Sequence, residues 1–259
     1  MSALKHQSDP SDPRDYKLPD RPVDSPRLAT TVDLRPYAPP VYSQGGLNSC
    51  TANATAALLD FVRKKDGLEF MSPSRMFLYY NARLLNGNAD KDEGSCFRDM
   101  LNSIYETGAC SESMWDYNKD LLFVKPVDEC YAVAANNKFQ YYAYIAQRLE
   151  ALKHCLDDGF PFLFALMVYW PLQNDIGLHE TGFLTETPER YRNHKGRHAL
   201  CCVGYDDEKE AFLIRNSHGP DWCMEGHFWI KYKMMIDPVY CEAFWTLRTS
   251  GTWESTEYN

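Results

Sequence analysis

The hydrophobic periodicity changes halfway along the chain, and that change restricts the fold more than any other feature. From Ser49 onward, Ala54, Ala57, Leu58, Phe61 and Val62 recur at three- and four-residue intervals. That spacing lays one apolar stripe along an α-helix, with Asn48 or Ser49 in position to cap it. Further helices are expected at about 73–85, opened by Ser72-Pro73, at about 96–107, stopped by Gly108, and at about 145–158, stopped by Gly159. Beyond residue 160 the runs shorten. Pro161 to Tyr169, His198 to Tyr205, Ala211 to Asn216, His227 to Tyr232 and Phe244 to Leu247 are rich in aromatic and β-branched residues and divided by turn clusters, which is the spacing of strands. Helices first and strands afterwards describe an α+β chain, helical over about 45–155 and an antiparallel sheet or barrel over about 160–250.

Before the first helix, residues 1–30 carry Pro10, Pro13, Pro19, Pro22 and Pro26 among charged side chains. Prolines so close together suit neither helix nor central strand, so an extended arm is expected. The stretch from Val32 to Tyr42 is again proline-rich and is expected to lack regular structure. With 259 residues the chain can bury one sizeable core, or two lobes sharing an interface. Its formal charge of -9 and scattered Lys and Arg argue against a nucleic-acid partner. The most apolar run, Phe160 to Trp170, is too short to span a bilayer and contains Pro161. No apolar core of a secretory signal occurs within residues 1–20. Nine cysteines leave at least one thiol unpaired, and adjacent Cys201 and Cys202 within an apolar run read as buried small hydrophobes of a reducing compartment. A cytoplasmic protein, or one delivered by a virus or into a host, and a monomer, are the expectations.

Cys50 falls in the first turn of the first helix, where unpaired backbone N–H groups and the helix dipole favour a thiolate. Taken alone, a cysteine there is more often a small buried plug. The strands that begin at His198 and end at Asn216 flank the polar turn Asp206 to Glu210, whose centre is their midpoint, so the two residues are expected to oppose each other across a hairpin. An Asn oxygen beside an imidazole fixes its ring and tautomer without adding charge. Gln44 precedes Cys50 across a Gly-containing loop. Its side-chain amide and the Cys50 N–H are expected to point at one developing oxyanion. A surface histidine and a solvated loop glutamine are the bland readings of the other two.

Together these residues resemble the papain-like (C1) cysteine peptidases. Gln44-Gly-Gly-Leu-Asn-Ser-Cys50-Thr-Ala resembles that family's oxyanion glutamine and nucleophile segment. His198-Ala-Leu-Cys-Cys-Val-Gly-Tyr205, followed by Phe212-Leu-Ile-Arg-Asn216-Ser-His-Gly-Pro-Asp-Trp222, resembles its base strand and Asn-Ser-Trp-Gly segment. The base follows the nucleophile by roughly 150 residues, as in the family. The resemblance implies a helical left lobe and a β-barrel right lobe, with Cys50 and His198 on opposite walls of a cleft. It implies an endopeptidase acting on peptides or proteins through a Cys50–His198 pair and an acyl-enzyme, with no metal or organic cofactor. It also places Gly94 and Ser95 at the strip that pairs with substrate backbone, and His218 where a tryptophan shields the Asn–His bond. Thr51 and Leu47 depart from the pattern of secreted members.

Three other readings stay in view. His194 and His198, four apart, would share a face of a helix as metal ligands, but Lys195-Gly196-Arg197 between them disfavours that helix. An inactive papain-like scaffold used for binding is the second, and another thiol acyl-transfer chemistry the third; the latter more often orients its histidine with an acid than with an Asn. The leader is read as an autoinhibitory arm lying in the cleft, with Tyr16 or Leu18 filling a pocket there.

Overall fold

The computed structural model describes residues 6–248 except 10, 11, 13, 14, 23, 70, 169–171, 173, 174 and 185–195. At its centre is helix α1 (Cys50–Lys65), buried from Cys50 through Val62. Small Ala residues at 52, 54, 56 and 57 let neighbours approach closely, and buried polar side chains such as Thr51, Asn53 and Asp60 are met by hydrogen bonds, so the helix is covered on every side. Only its last turn, Arg63-Lys64-Lys65, reaches water, where cations meet the negative end of the dipole. Against it pack α2 (Arg75–Leu85) and α3 (Phe97–Thr107). The Ser74 side chain caps α2 by accepting the Phe77 N–H at 3.1 Å. At Gly108, φ is 88° and a Cβ would lie 1.8 Å from the Ala134 carbonyl oxygen, so only glycine lets α3 end against the short helix α4 (Asp128–Ala134).

Seven strands form one antiparallel sheet: β1 (Thr31–Asp33), β2 (Tyr141–Tyr144), β3 (Phe162–Val168), β4 (Gly196–Asp206), β5 (Ala211–Arg215), β6 (His227–Lys231) and β7 (Cys241–Arg248). Their order is β2-β7-β3-β4-β5-β6, with β1 added on β4. The sheet is open, which corrects the expected barrel: β2 and β6 stand at opposite ends of the order instead of closing on each other. The α+β class holds. β3, at the centre, is buried along its whole length, which is why it reads as a continuous apolar run rather than an alternating one.

Two segments differ from the sequence reading. Helix α5 spans only Leu149–Asp157, because Tyr141–Tyr144 ahead of it is drawn into the sheet beside β7. Within the proline-rich stretch, Thr31–Asp33 pairs with β4 and Arg35–Tyr37 makes one 3₁₀ turn. The pairing depends on Gly204, where a Cβ would come within 2.3 Å of the Val32 carbonyl oxygen. A 3₁₀ turn at Lys119–Leu121 and the short helices α6 (Ile176–Thr181) and α7 (Tyr232–Met235) complete the described elements. No helix among the described residues is long and apolar enough to cross a membrane.

Candidate active site

Cys50 opens α1 and is fully buried. The start of α1 packs on β4, the strand that carries the imidazole, and the backbone N–H groups of Ala199, the residue after His198, and of Thr51 favour the thiolate form of the Cys50 sulfur. Nε2 of His198 lies 2.8 Å from Oδ1 of Asn216, and the Ser217 N–H donates to the same oxygen at 2.8 Å. Since that oxygen is held by one donor already, Nε2 carries the ring proton and Nδ1 is the basic nitrogen. Nδ1 is buried without a hydrogen-bond partner among the described residues.

The two residues meet by a route other than direct opposition. Near the turn, β4 and β5 pair as Asp206↔Ala211, Tyr205↔Phe212 and Gly204↔Leu213. Beyond a bulge at Val203 the partners become Cys202↔Ile214 and Cys201↔Arg215. Continued, that register sets Asn216 opposite Leu200, which shares a strand face with His198; the turn-proximal register would have set it opposite Cys201, on the other face. His198 and Asn216 are therefore diagonal neighbours, and side chains span such a diagonal readily.

His218 stacks on His198, with ring centroids 5.2 Å apart and planes at 18°. The edge of Trp222 then meets His218 at 5.5 Å. Trp222 thus backs His218 and is a neighbour of the site that the motif did not single out. Ser217 is another: its Oγ donates to Gln44 Oε1 at 2.5 Å, and its carbonyl accepts the Gln44 N–H at 2.9 Å. Gln44 is buried, and its Nε2 donates to the Leu47 carbonyl at 2.9 Å, so one of its two amide hydrogens is spent within the loop rather than directed outward. No residue motif signals either contact, because both cross from the loop before α1 to the end of β5.

Gly94 and Ser95 lie beside the start of α1. Asp92 ties them there by accepting the Asn48 N–H at 3.1 Å and the Tyr79 hydroxyl at 2.6 Å, while Asn48 Nδ2 donates to the Asp92 carbonyl. The Gly94 N–H donates to the Tyr79 oxygen, and the Thr51 hydroxyl donates to the Ser95 carbonyl at 2.9 Å.

The space over these groups is filled by the leader. The His6 N–H donates to the Arg197 carbonyl at 3.0 Å on the sheet side, and the Gln7 N–H to the Ser95 carbonyl at 3.2 Å on the helical side. The His6 ring contacts Thr51 Oγ1 through Nδ1 at 3.3 Å and lies 4.6 Å from the Phe97 ring. Asp9 accepts the Arg98 N–H and the Trp245 indole N–H. Tyr16 and Leu18, expected in the cleft, instead pair by backbone with Tyr144 on the edge strand β2, and Tyr16 is exposed. The strand edge offers free backbone groups that the extended, Pro-containing arm can use. Residues 1–5 and His194 lie outside the described residues.

Burial sets the charge state. It raises the Cys50 thiol above its ordinary value, with the N–H groups of Ala199 and Thr51 opposing. It lowers His198 to about 3, helped by the neighbouring His218 and His6 and opposed by the Asn216 hydrogen bond. His6 is lowered to about 3 by burial and by the Arg197 cation. Under this cover the thiol and both imidazoles are neutral at neutral pH.

The model of the papain family cysteine proteases matches residues 28–243. A peptidase C1-like protein of Acanthamoeba polyphaga mimivirus is 33% identical over 222 residues, covering 82% of this chain and 71% of its own. Cathepsin B-like CP3 of Giardia intestinalis is 26% identical over 204 residues, covering 73% of this chain and 63% of its own. Among solved structures, xylellain, a cysteine protease from Xylella fastidiosa, aligns with a TM-score of 0.86 at 33% identity over 96% of this chain and 97% of its own. A digestive procathepsin L2 from Tenebrio molitor shares the fold, with a TM-score of 0.73 at 19% identity over 92% of this chain and 76% of its own.

Proposed function

The chain belongs to the papain family of cysteine proteases, and we propose that its peptidase chemistry uses Cys50 as nucleophile, His198 as base, Asn216 as the group that holds that base, and Gln44 beside the oxyanion. The observation that carries the assignment is the doubly held Asn216 oxygen, which leaves His198 Nδ1 as the ring nitrogen able to accept a proton. When a substrate replaces the arm, Nδ1 takes the thiol proton and the sulfur attacks the peptide carbonyl carbon. The carbonyl oxygen gains negative charge next to the Cys50 N–H and the Gln44 amide. Collapse breaks the C–N bond, the imidazolium gives its proton to the departing amine, and a thioester remains. Water, deprotonated by the same Nδ1, attacks that thioester and releases the acid and the thiol.

Gly94 and Ser95 are proposed as the strip that pairs with substrate backbone, because the Ser95 carbonyl already accepts a backbone N–H from Gln7. His218 is proposed as the cover of the Asn216–His198 bond, supported by its stacking on the imidazole. A second reading rests on the arm itself: residues 6–9 bridge both walls over a fully buried Cys50, which supports an autoinhibitory role for the leader. The nine free cysteines support a reducing compartment. Labelling with an epoxide inhibitor of papain-like enzymes, followed by mass spectrometry, tests the assignment. Modification at Cys50 with loss of turnover is expected; modification at another cysteine with turnover lost would overturn it.

A further inference from the structure

The loop that carries Gln44 gains nothing from packing at its tip, since a Cβ at Gly45 or Gly46 would meet no atom within 4 Å. Beside the packing of Tyr42 and Leu47 on the core, polar contacts at its two ends fix it. Both ends are held by one buried assembly. Arg75, the first residue of α2, is 7% exposed and donates from Nε and Nη2 to the Glu112 carboxylate at 2.7 and 2.6 Å. Its Nη1 donates to the Ser43 carbonyl at 3.2 Å and to Asn53 Oδ1 at 2.9 Å. The guanidinium lies against two rings, 3.8 Å from the centroid of Tyr117 and 4.6 Å from that of Tyr42. The Tyr117 hydroxyl donates to the Gln44 carbonyl at 2.9 Å and, its own proton so used, accepts from Ser49 Oγ at 2.5 Å. Asn53 Nδ2 closes the circuit on the Ser49 carbonyl at 2.9 Å.

We propose that Tyr117 and Arg75 are positioning residues for the oxyanion side of the site, one phenol fixing Gln44 relative to Ser49 and hence to the Cys50 N–H that follows it. The inference rests on the roles given above to Gln44 and Cys50. Neither residue touches the reacting atoms. Their effect is on the separation and angle of two donors, where a displacement well under a hydrogen-bond length already weakens transition-state stabilisation. The bidentate Glu112 pair and the two rings keep the buried cation satisfied, so the guanidinium is a fixed base on which the phenol rests.

The test compares the full-length parent with Tyr117→Phe, which keeps the ring under Arg75 and removes only the hydroxyl, and with Arg75→Lys. Turnover of a fluorogenic peptide amide should fall roughly tenfold in kcat, less than the 10²–10³ lost when an oxyanion donor is itself removed, with KM within about twofold. The inhibition constant of a peptide aldehyde, whose adduct with the thiol is an oxyanion analogue, should rise by the same factor. Alkylation of Cys50 by iodoacetamide should keep its parental rate, because displacement at saturated carbon builds no oxyanion. Parental kcat and aldehyde affinity in Tyr117→Phe would overturn the proposal, and so would a parallel fall in alkylation, which would indicate general damage to Cys50 and His198. A parent that binds no aldehyde and turns over no peptide, both at full length and after deletion of residues 1–9, would remove the underlying catalytic reading instead, and the positioning role with it.

Discussion

Nε2 of His198 reaches Oδ1 of Asn216 at 2.8 Å because the β4–β5 ladder slips by one residue at Val203, which turns Asn216 onto the face of the sheet that His198 occupies. The tautomer of the base follows from that contact. Asn216→Ala should therefore leave a folded protein whose imidazole is unoriented, with kcat/KM reduced by about tenfold or more. Parental kinetics in that variant would show that the bond is incidental.

Cys50→Ala should abolish both hydrolysis and inhibitor labelling while the thermal unfolding midpoint moves little, since alanine fits at a helix start among small residues. Continued hydrolysis by purified Cys50→Ala would rule the nucleophile out.

His218 stacks on the base, and burial holds its own pKa below the ordinary 6.5, so it gains charge only on the acid side. A second cation against the imidazolium then opposes the working ion pair as pH falls. His218→Trp removes that charge and should extend the acid limb of the pH–rate profile to lower pH. Superimposable profiles would make His218 a spectator.

The part of the leader that covers the site is His6 to Asp9, so deleting residues 1–9 alone should raise turnover of a small peptide, and a synthetic peptide of those residues should lower it again. Equal rates for full-length and shortened chains, both verified by mass, would dispose of the autoinhibitory role.

The same cover should loosen in acid. His6 titrates near 6.5 when released and is lowered to about 3 when docked, facing the Arg197 cation and the His198 ring. The released arm thus binds the extra proton, and docking, fully favourable above 6.5, weakens as pH falls from there towards 3. Each unit in that window costs about 1.4 kcal/mol, or tenfold. Buried Asp9, raised from 3.8 and held by Arg98 and Trp245, acts in the opposite sense, but at the carboxylate end of the range. The ratio of shortened to full-length turnover should shrink between pH 7.5 and 5.5, and His6→Asn should flatten that dependence. A ratio independent of pH in the parent would exclude the histidine as the sensor.

Local pattern carried the helical first half and the strands of the second, and it marked Cys50, His198, Asn216 and Gln44 as candidates that only their joint resemblance to a family tied together, because each is written in contiguous residues: an apolar stripe, an apolar run, a Gly-containing approach to a helix start. The sequence was silent where the outcome depends on which segments approach in space. The turn pointed to direct opposition of His198 and Asn216, whereas a bulge at Val203, which carries no residue signature, set the register. β1 was hidden by the prolines on either side of it, since its pairing depends on a glycine at position 204 of a distant strand. Tyr16 and Leu18 looked suited to a cleft by their side chains, yet the open edge of β2 captured their backbone and left His6 over the site. Tyr117, Arg75 and Ser217 lie far along the chain from the loop and helix start they serve. Side-chain type and spacing decide what a segment becomes, while contacts between distant segments depend on packing and ladder register, and only the folded chain fixes those.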